Sequence, residues 1–315
     1  MKVIFLISIL VMSVSLYAEE ELPLIGADNE EEILAVGTAT ENAADIPVPE
    51  KASAQAHIPI ILQTNRVDLL GRGRGVSKNN LMSKPTTLSS EDFFPSICCL
   101  SQDSADYPKR LCDLSDPPRK LFYIGNIALL RQPMLAIVGA RRASRAGLLY
   151  AQHFAAGLGL AGYHIVSGLA YGIDSAAHRS ILDLDGPSKT IAVCGNGLDR
   201  VYPSEHQALA KEIAKEGLLI SEYPPGIGPK GFHFPRRNRI IAALALGTVV
   251  IEAAQRSGSL ITAYLCSHLG REVFVVPGPI SSPLYAGSHR LIQDGAKLIS
   301  GVEDVLSELP SARFH

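Results

Sequence analysis

Near residue 134 the spacing of hydrophobic positions changes abruptly. From there on, short continuous apolar runs alternate with segments of helical period, and a glycine-bearing turn follows most of the runs. The runs are Met134–Val138, Tyr163–Val166, Thr190–Val193, Leu218–Ser221, Thr248–Glu252 and Glu272–Val276. Short, nearly continuous apolar runs predict strands buried on both faces, and their alternation with helices predicts an α/β fold around a mostly parallel sheet. Between them Gly147–Leu160 reads as a helix. Ser204 with Gln207 reads as a capping box opening a helix to about Lys215, and Ser300 with Glu303 as another opening a short helix to Leu309. Phe234–Leu244 predicts a buried helix with Pro235 in its first turn, where a missing N–H costs nothing.

Ahead of this alternation the pattern is different. Lys2, an apolar run from Val3 to Tyr17 and a small residue at Ala18 give residues 1–18 the shape of a secretory signal, too short for a membrane span. Residues 19–95 are acidic at the front and are expected to be disordered or foreign to the main domain. No sustained periodicity runs from Ala52 to Gln102, which favours a foreign front segment on a cytoplasmic domain. True export stays open as the alternative. Residues 96–130 read as an extended lead-in, punctuated by Pro108, Pro117 and Pro118 and laid on the domain edge. The main domain is expected at 131–309, with 310–315 as a tail.

Charge sharpens the division. The formal net charge is only −2, but residues 1–106 carry 7 Lys and Arg against 15 Asp and Glu, a net of −8. Residues 107–315 carry 22 against 16, a net of +6. A basic back portion points to an anionic partner for the main domain. The five cysteines, Cys98, Cys99, Cys112, Cys194 and Cys266, lack metal-ligand spacing and leave one over from any pairing, so no disulfide framework is expected.

Turns that follow parallel strands gather on one rim, and ligands bind there. Gly139-Ala140-Arg141-Arg142-Ala143-Ser144 places arginines and a hydroxyl at a helix start, without the glycine spacing of a dinucleotide site. Ser167-Gly168 and Gly172 leave room for a ligand beside the backbone. Asp174 is a candidate to cap the next helix or orient a rim arginine, while His178 reads as packed. Ser257-Gly258-Ser259 offers hydroxyls and bare amides. Lys230-Gly231-Phe232-His233-Phe234 interleaves a cation with aromatics, the combination that grips a phosphate chain while stacking bases. It leads into Arg236, Arg237, Asn238 and Arg239, guanidinium forks at the start of the buried helix. These runs also have plainer readings, as a solvated basic turn, a helix cap or, for Lys230–Phe234, a hydrophobic flap over the sheet edge. Glu252 is the one carboxylate to weigh for chemistry, against a structural role bonding nearby amides. No nucleophile stands beside a base and no His/Cys/Asp/Glu cluster has metal spacing. The rim reads as a site that holds phosphates without breaking bonds, with no catalytic residue, metal or cofactor.

Several ordered motifs together resemble the DNA-processing protein A family (DprA, also called Smf). They are Gly139-x-Arg141-x-x-Ser144, Ser167-Gly168-x-Ala170-x-Gly172-Ile173-Asp174 and Gly195-x-Gly197-x-Asp199-x-x-Tyr202-Pro203. Further on come Phe234-Pro235-x-Arg237-Asn238-Arg239-Ile240-Ile241, Ser257-Gly258-Ser259-Leu260-Ile261-Thr262-Ala263 and Val276-Pro277-Gly278. The resemblance spans about Tyr107 to Leu309. It implies an extended Rossmann-like domain that binds single-stranded DNA without catalysis, protects incoming strands in natural transformation, helps load the RecA recombinase and works as a homodimer. By motif position the DNA contacts would fall on Arg141, Lys230, Gly231, Phe234, Arg237 and Arg239. Ser144, Ser167, Gly168, Asn238, Ser257, Gly258 and Ser259 are the accompanying candidates. His289 departs from the family's usual asparagine, and neither its C-terminal winged helix nor its small N-terminal helical domain is expected. A second reading, a nucleotide hydrolase similar to the phosphoribohydrolases of the Lonely Guy (LOG) family, lacks their Pro-Gly-Gly-x-Gly-Thr loop before Glu252.

Overall fold

The computed structural model describes residues 96–309; the signal-like segment, the acidic segment and the tail lie outside the described residues. Strands β1 (Cys98–Ser101), β2 (Lys120–Gly125), β3 (Met134–Gly139), β4 (His164–Ser167), β5 (Thr190–Cys194), β6 (Leu218–Ser221), β7 (Gly247–Ile251), β8 (Glu272–Val275) and β9 (Lys297–Leu298) form one sheet. The helices are α1 (Arg145–Leu160), α2 (Ile173–Leu182), α3 (Gln207–Glu216), α4 (His233–Leu244), α5 (Gly258–His268), α6 (Ala286–Gln293) and α7 (Val302–Leu306).

The nine strands lie in the order β1-β2-β6-β5-β4-β3-β7-β8-β9. Seven of them, from β6 to β9 across the sheet, run parallel, while β2 pairs antiparallel with β6 and β1 antiparallel with β2. The chain therefore builds outward from β3 to β6 and then returns to the other side of β3 to lay down β7. Ala136 of β3 pairs with Val166 on one side and Thr248 on the other. That reversal, between β3 and β7, is the switch point at which open α/β sheets bind ligands.

Both faces are covered because every central strand is apolar at consecutive positions. Met134, Ala136 and Val138 pack with Ile240, Ile241 and Leu244 of α4 and with Ala263 and Cys266 of α5. Leu135 and Ile137 turn the other way, onto Ala151, Phe154 and Leu158 of α1 and Ile173 and Ala177 of α2. Leu209, Ala210 and Ile213 of α3 cover Ala192, Cys194 and Leu219. Each such fully buried leucine or isoleucine contributes roughly 1.5–3 kcal/mol.

The six expected strands are present with ends shifted by at most a residue. The strands β1 and β9 and the helix α6 have no counterpart in the hydrophobic pattern: two or four residues carry too little period, and α6 shows only Leu291 and Ile292 as large apolar residues. The lead-in does lie along the sheet edge, but as the ladder strands β1 and β2. Two capping boxes are corrected. Ser204–His206 is a single 3-10 turn without a side-chain cap ahead of α3. At α7 the carboxylate that gathers the amides of Ser300 and Gly301 belongs to Asp304 and not Glu303, at 2.6 and 3.0 Å.

The far end of α4 is held by residues distant in sequence. Arg271 donates to the carbonyls of Ala242, Ala243 and Ala245, and its other nitrogen reaches Asp113 at 2.9 Å. Arg110 reaches the carbonyl of Leu244 at 3.4 Å, and fully buried Leu111 packs in the same core as α4. These guanidiniums occupy carbonyls that a helix C-terminus otherwise leaves unpartnered.

Candidate nucleic-acid interface

The turns at the switch point enclose a cleft of about 700 Å³. Its walls are the β3–α1 turn, the loop before α4 with that helix's first two turns, and the β7–α5 turn. Arg141, Lys230, Gly231, Phe234, Arg237, Asn238, Ser257, Gly258 and Ser259 all line it. So do Arg142, the second arginine of the turn after β3, and Arg256, a cation that sequence reasoning passed over beside Ser257. Five cations, Arg141, Arg142, Lys230, Arg237 and Arg256, face one carboxylate, Asp174, among the lining residues, leaving a net of +4. Four of the cations are exposed, whereas Arg237 is only 4% exposed.

Burial decides what Arg237 does. Its guanidinium donates to the carbonyls of Gly168, at 2.6 Å, and Val193, and its Nε donates to the side-chain oxygen of Asn238. Asp174, 7% exposed, sits opposite and accepts the amides of Gly168 and Ala170 at 3.1 and 3.3 Å. Burial pushes the Asp174 carboxyl up, and the Arg237 charge and those amides pull it back. A Cβ on Gly168 would lie 2.6 Å from Arg237 and 2.7 Å from Asp174, so the space that glycine leaves is filled by this pair. Arg237 is thus a strut beneath the cleft floor. Ser167, also buried, donates to Ile137 O at 2.6 Å and does not reach the cleft.

Gly168 is likewise outside the lining residues, and so are two further candidates, Ser144 and Arg239. Ser144 caps α1, accepting the Gly147 amide at 3.0 Å, and both its amide and hydroxyl donate to Glu252. Glu252 is fully buried, adopts a left-handed φ of 52° and also accepts from Tyr285 at 3.0 Å. Burial and the Glu252 charge hold the Tyr285 phenol protonated, well above its ordinary range. Glu252 therefore binds the turn after β3 to the segment after β8. A conformation this uncommon for a non-glycine residue persists where surrounding bonds over-determine it. Arg239 leaves the cleft altogether and pairs with Glu222, which also meets Arg236 at 3.4 Å. In the segment after β8, His289 bonds the Gly278 carbonyl at 3.0 Å.

The remaining lining groups suit an anion. Ser257 caps α5, its oxygen accepting the Ser259 amide, and Gly258 is open to solvent. Arg141 stands over the Phe234 ring at 5.6 Å and Lys230 over Phe232 at 5.9 Å. Cations that share a cleft with ring faces favour a ligand bearing both phosphates and bases.

Fold and cleft together define an α/β Rossmann-like protein with a net-basic cleft at its switch point. The family follows from comparison: residues 98–310 match the model of the family described as DNA recombination-mediator protein A, and the chain belongs to that family of non-enzymatic recombination mediators. It is 47% identical over 215 residues to the DNA processing protein DprA of Streptococcus pneumoniae, covering 68% of this chain and 74% of that one. It is 43% identical over 223 residues to the protein Smf of Escherichia coli, covering 68% of this chain but only 59% of Smf. The X-ray structure of the pneumococcal protein superposes with a TM-score of 0.66 at 45% identity, over 71% of this chain and 77% of that one. DNA processing protein A of Helicobacter pylori, whose structure was solved for its single-stranded DNA binding mode, superposes at 0.61 with 31% identity, over 67% and 94%.

Proposed function

We propose that the cleft holds single-stranded DNA, with phosphates on Arg141, Arg142, Lys230, Arg256 and the Ser257-Gly258-Ser259 turn and bases toward the aromatic wall. In this reading Ser144, Ser167, Gly168, Arg237 and Arg239 shape and brace the loops without touching the strand. The protein acts in the cytoplasm in natural transformation, as a homodimer that shields incoming strands and passes them to the RecA recombinase. The observation that carries the reading is the net charge of +4 around an aromatic-walled cleft at the switch point. The single-strand binding mode described for the Helicobacter pylori protein adds to it. The hydrolase reading loses ground because Glu252 is buried and engaged by Ser144 and Tyr285, with no open face for water or ribose.

Fluorescence anisotropy with single- and double-stranded DNA at several salt concentrations is the test. For a single strand the logarithm of affinity falls against that of salt by about 0.7 for every phosphate neutralised. Arg141→Ala and Lys230→Ala are each expected to flatten that slope by about 0.7 and to weaken binding to all sequences alike. Native affinity and slope in the double variant would remove the basis for the reading.

A further inference from the structure

The sequence singles out Phe234 as the ring for a base, yet Phe234 is the more enclosed of the two aromatic rings lining the cleft. It is partly buried, whereas Tyr202 is 46% exposed. Three neighbours cover Phe234. Gly195 lies against it so closely that a Cβ there would stand 2.9 Å from its ring. Arg141 stands 5.6 Å from its centroid, and the Tyr202 ring 5.2 Å away at a tilt of 31°. That spacing lies within the range of favourable aromatic pairs. A flat group entering the cleft meets Tyr202 first and finds Phe234 behind it.

We propose that Tyr202 is the base-stacking platform of the cleft and that Phe234 is the ring supporting it. This rests on the single-strand reading of the cleft. The surrounding charges orient the strand. Tyr171, next to Tyr202, is bonded to the Glu205 carboxylate, which disfavours phosphate on that side. The exposed cations Arg141 and Lys230 are the groups that attract it. A strand laid across the cleft therefore keeps its backbone with the cations and turns a base onto Tyr202. Every base has a π-face, so the platform selects unstacked bases without reading their sequence.

The test uses the full chain and a thymine-rich single strand, measuring affinity, its salt slope and photocrosslinking to an iodouracil-substituted copy. Tyr202→Ala and Tyr202→Leu are expected to bind about 5- to 150-fold more weakly. Tyr202→Leu keeps an apolar group on Phe234 and separates the loss of a stacking face from local collapse. Tyr202→Phe keeps the face and is expected to bind like the native chain. The salt slope stays unchanged in all three because no charge is lost, and the crosslinked peptide contains Tyr202. Native affinity in both Tyr202→Ala and Tyr202→Leu, with single-strand binding by the native chain intact, overturns this inference alone. No binding by the native chain overturns it together with the reading it rests on.

Discussion

Removing the Arg237 side chain tests whether this residue braces the cleft or grips the ligand. In Arg237→Ala the Asp174 carboxylate, 7% exposed in the native chain, loses its nearby countercharge, and the carbonyls of Gly168 and Val193 lose their donor. Breaking a buried charge pair from one side costs about 3–5 kcal/mol, because the survivor remains desolvated. A domain of ordinary stability has only about 5–15 kcal/mol in all, so the loss is a large fraction of the total. The expected result is an early urea unfolding transition followed by circular dichroism, with weakened DNA binding in proportion to the unfolded fraction. Adding Asp174→Ala removes the stranded charge, so the double variant is expected to lose less than the sum of the two single variants. If Arg237→Ala unfolds at the native urea concentration while its DNA affinity collapses, the bracing argument is wrong and Arg237 contacts the strand directly.

Acid is expected to act through two buried imidazoles. The Thr190 hydroxyl donates to Ile165 O, so His178 Nδ1 donates to Thr190, and burial with the nearby His206 and Arg237 lowers the His178 pKa to about 3. His164 accepts the Lys189 amide and is likewise lowered by burial. Both groups are depressed, so their stabilisation is full above the unfolded value of about 6.5 and is lost as pH falls toward about 3 for His178. His178→Gln is expected to flatten the fall of the urea midpoint with acid, and an unaltered pH profile would contradict this. In Gly278→Ala the new methyl overlaps the Tyr285 ring, so overpacking of about 1–3 kcal/mol is expected as a lower melting temperature. Glu252→Gln turns an amide donor toward groups that themselves donate, a loss of about 1–3 kcal/mol readable by the same melting experiment. Neither the native chain nor that variant is expected to release free base from a nucleoside monophosphate.

The legible part of this protein is whatever its local pattern encodes. Continuous apolar runs at Met134, Thr190 and Leu218 make buried parallel strands, and the turns behind them gather at one rim as expected. The arginine helix is equally plain, but not the direction in which each arginine points. Arg236, Arg237 and Arg239 sit on one turn, so successive side chains face a surface ion pair, the buried floor and the Glu222 cluster. That sorting depends on partners such as Asp174, 63 positions upstream of Arg237, whose motif offers it to a rim arginine without saying which one. Tyr202 falls inside a recognisable motif, yet a lone tyrosine between Val201 and Pro203 has no period to mark it as exposed. For Glu252 a structural role bonding nearby amides is legible, but its partners Ser144 and Tyr285 are not, since they stand more than 30 positions to either side.

The clamp on the last carbonyls of α4 has a practical consequence for anyone cutting this protein into pieces. Arg110 and Asp113 belong to the lead-in, ahead of the first parallel strand, yet they help hold the helix whose opposite tip forms one wall of the cleft. A fragment trimmed to begin at β3 would keep every lining residue and still let that helix fray from behind. Its weakened grip on DNA would be misread as a missing contact. The smallest transplantable unit therefore starts before Tyr107, whose hydroxyl ties the lead-in to Pro118 at 2.7 Å.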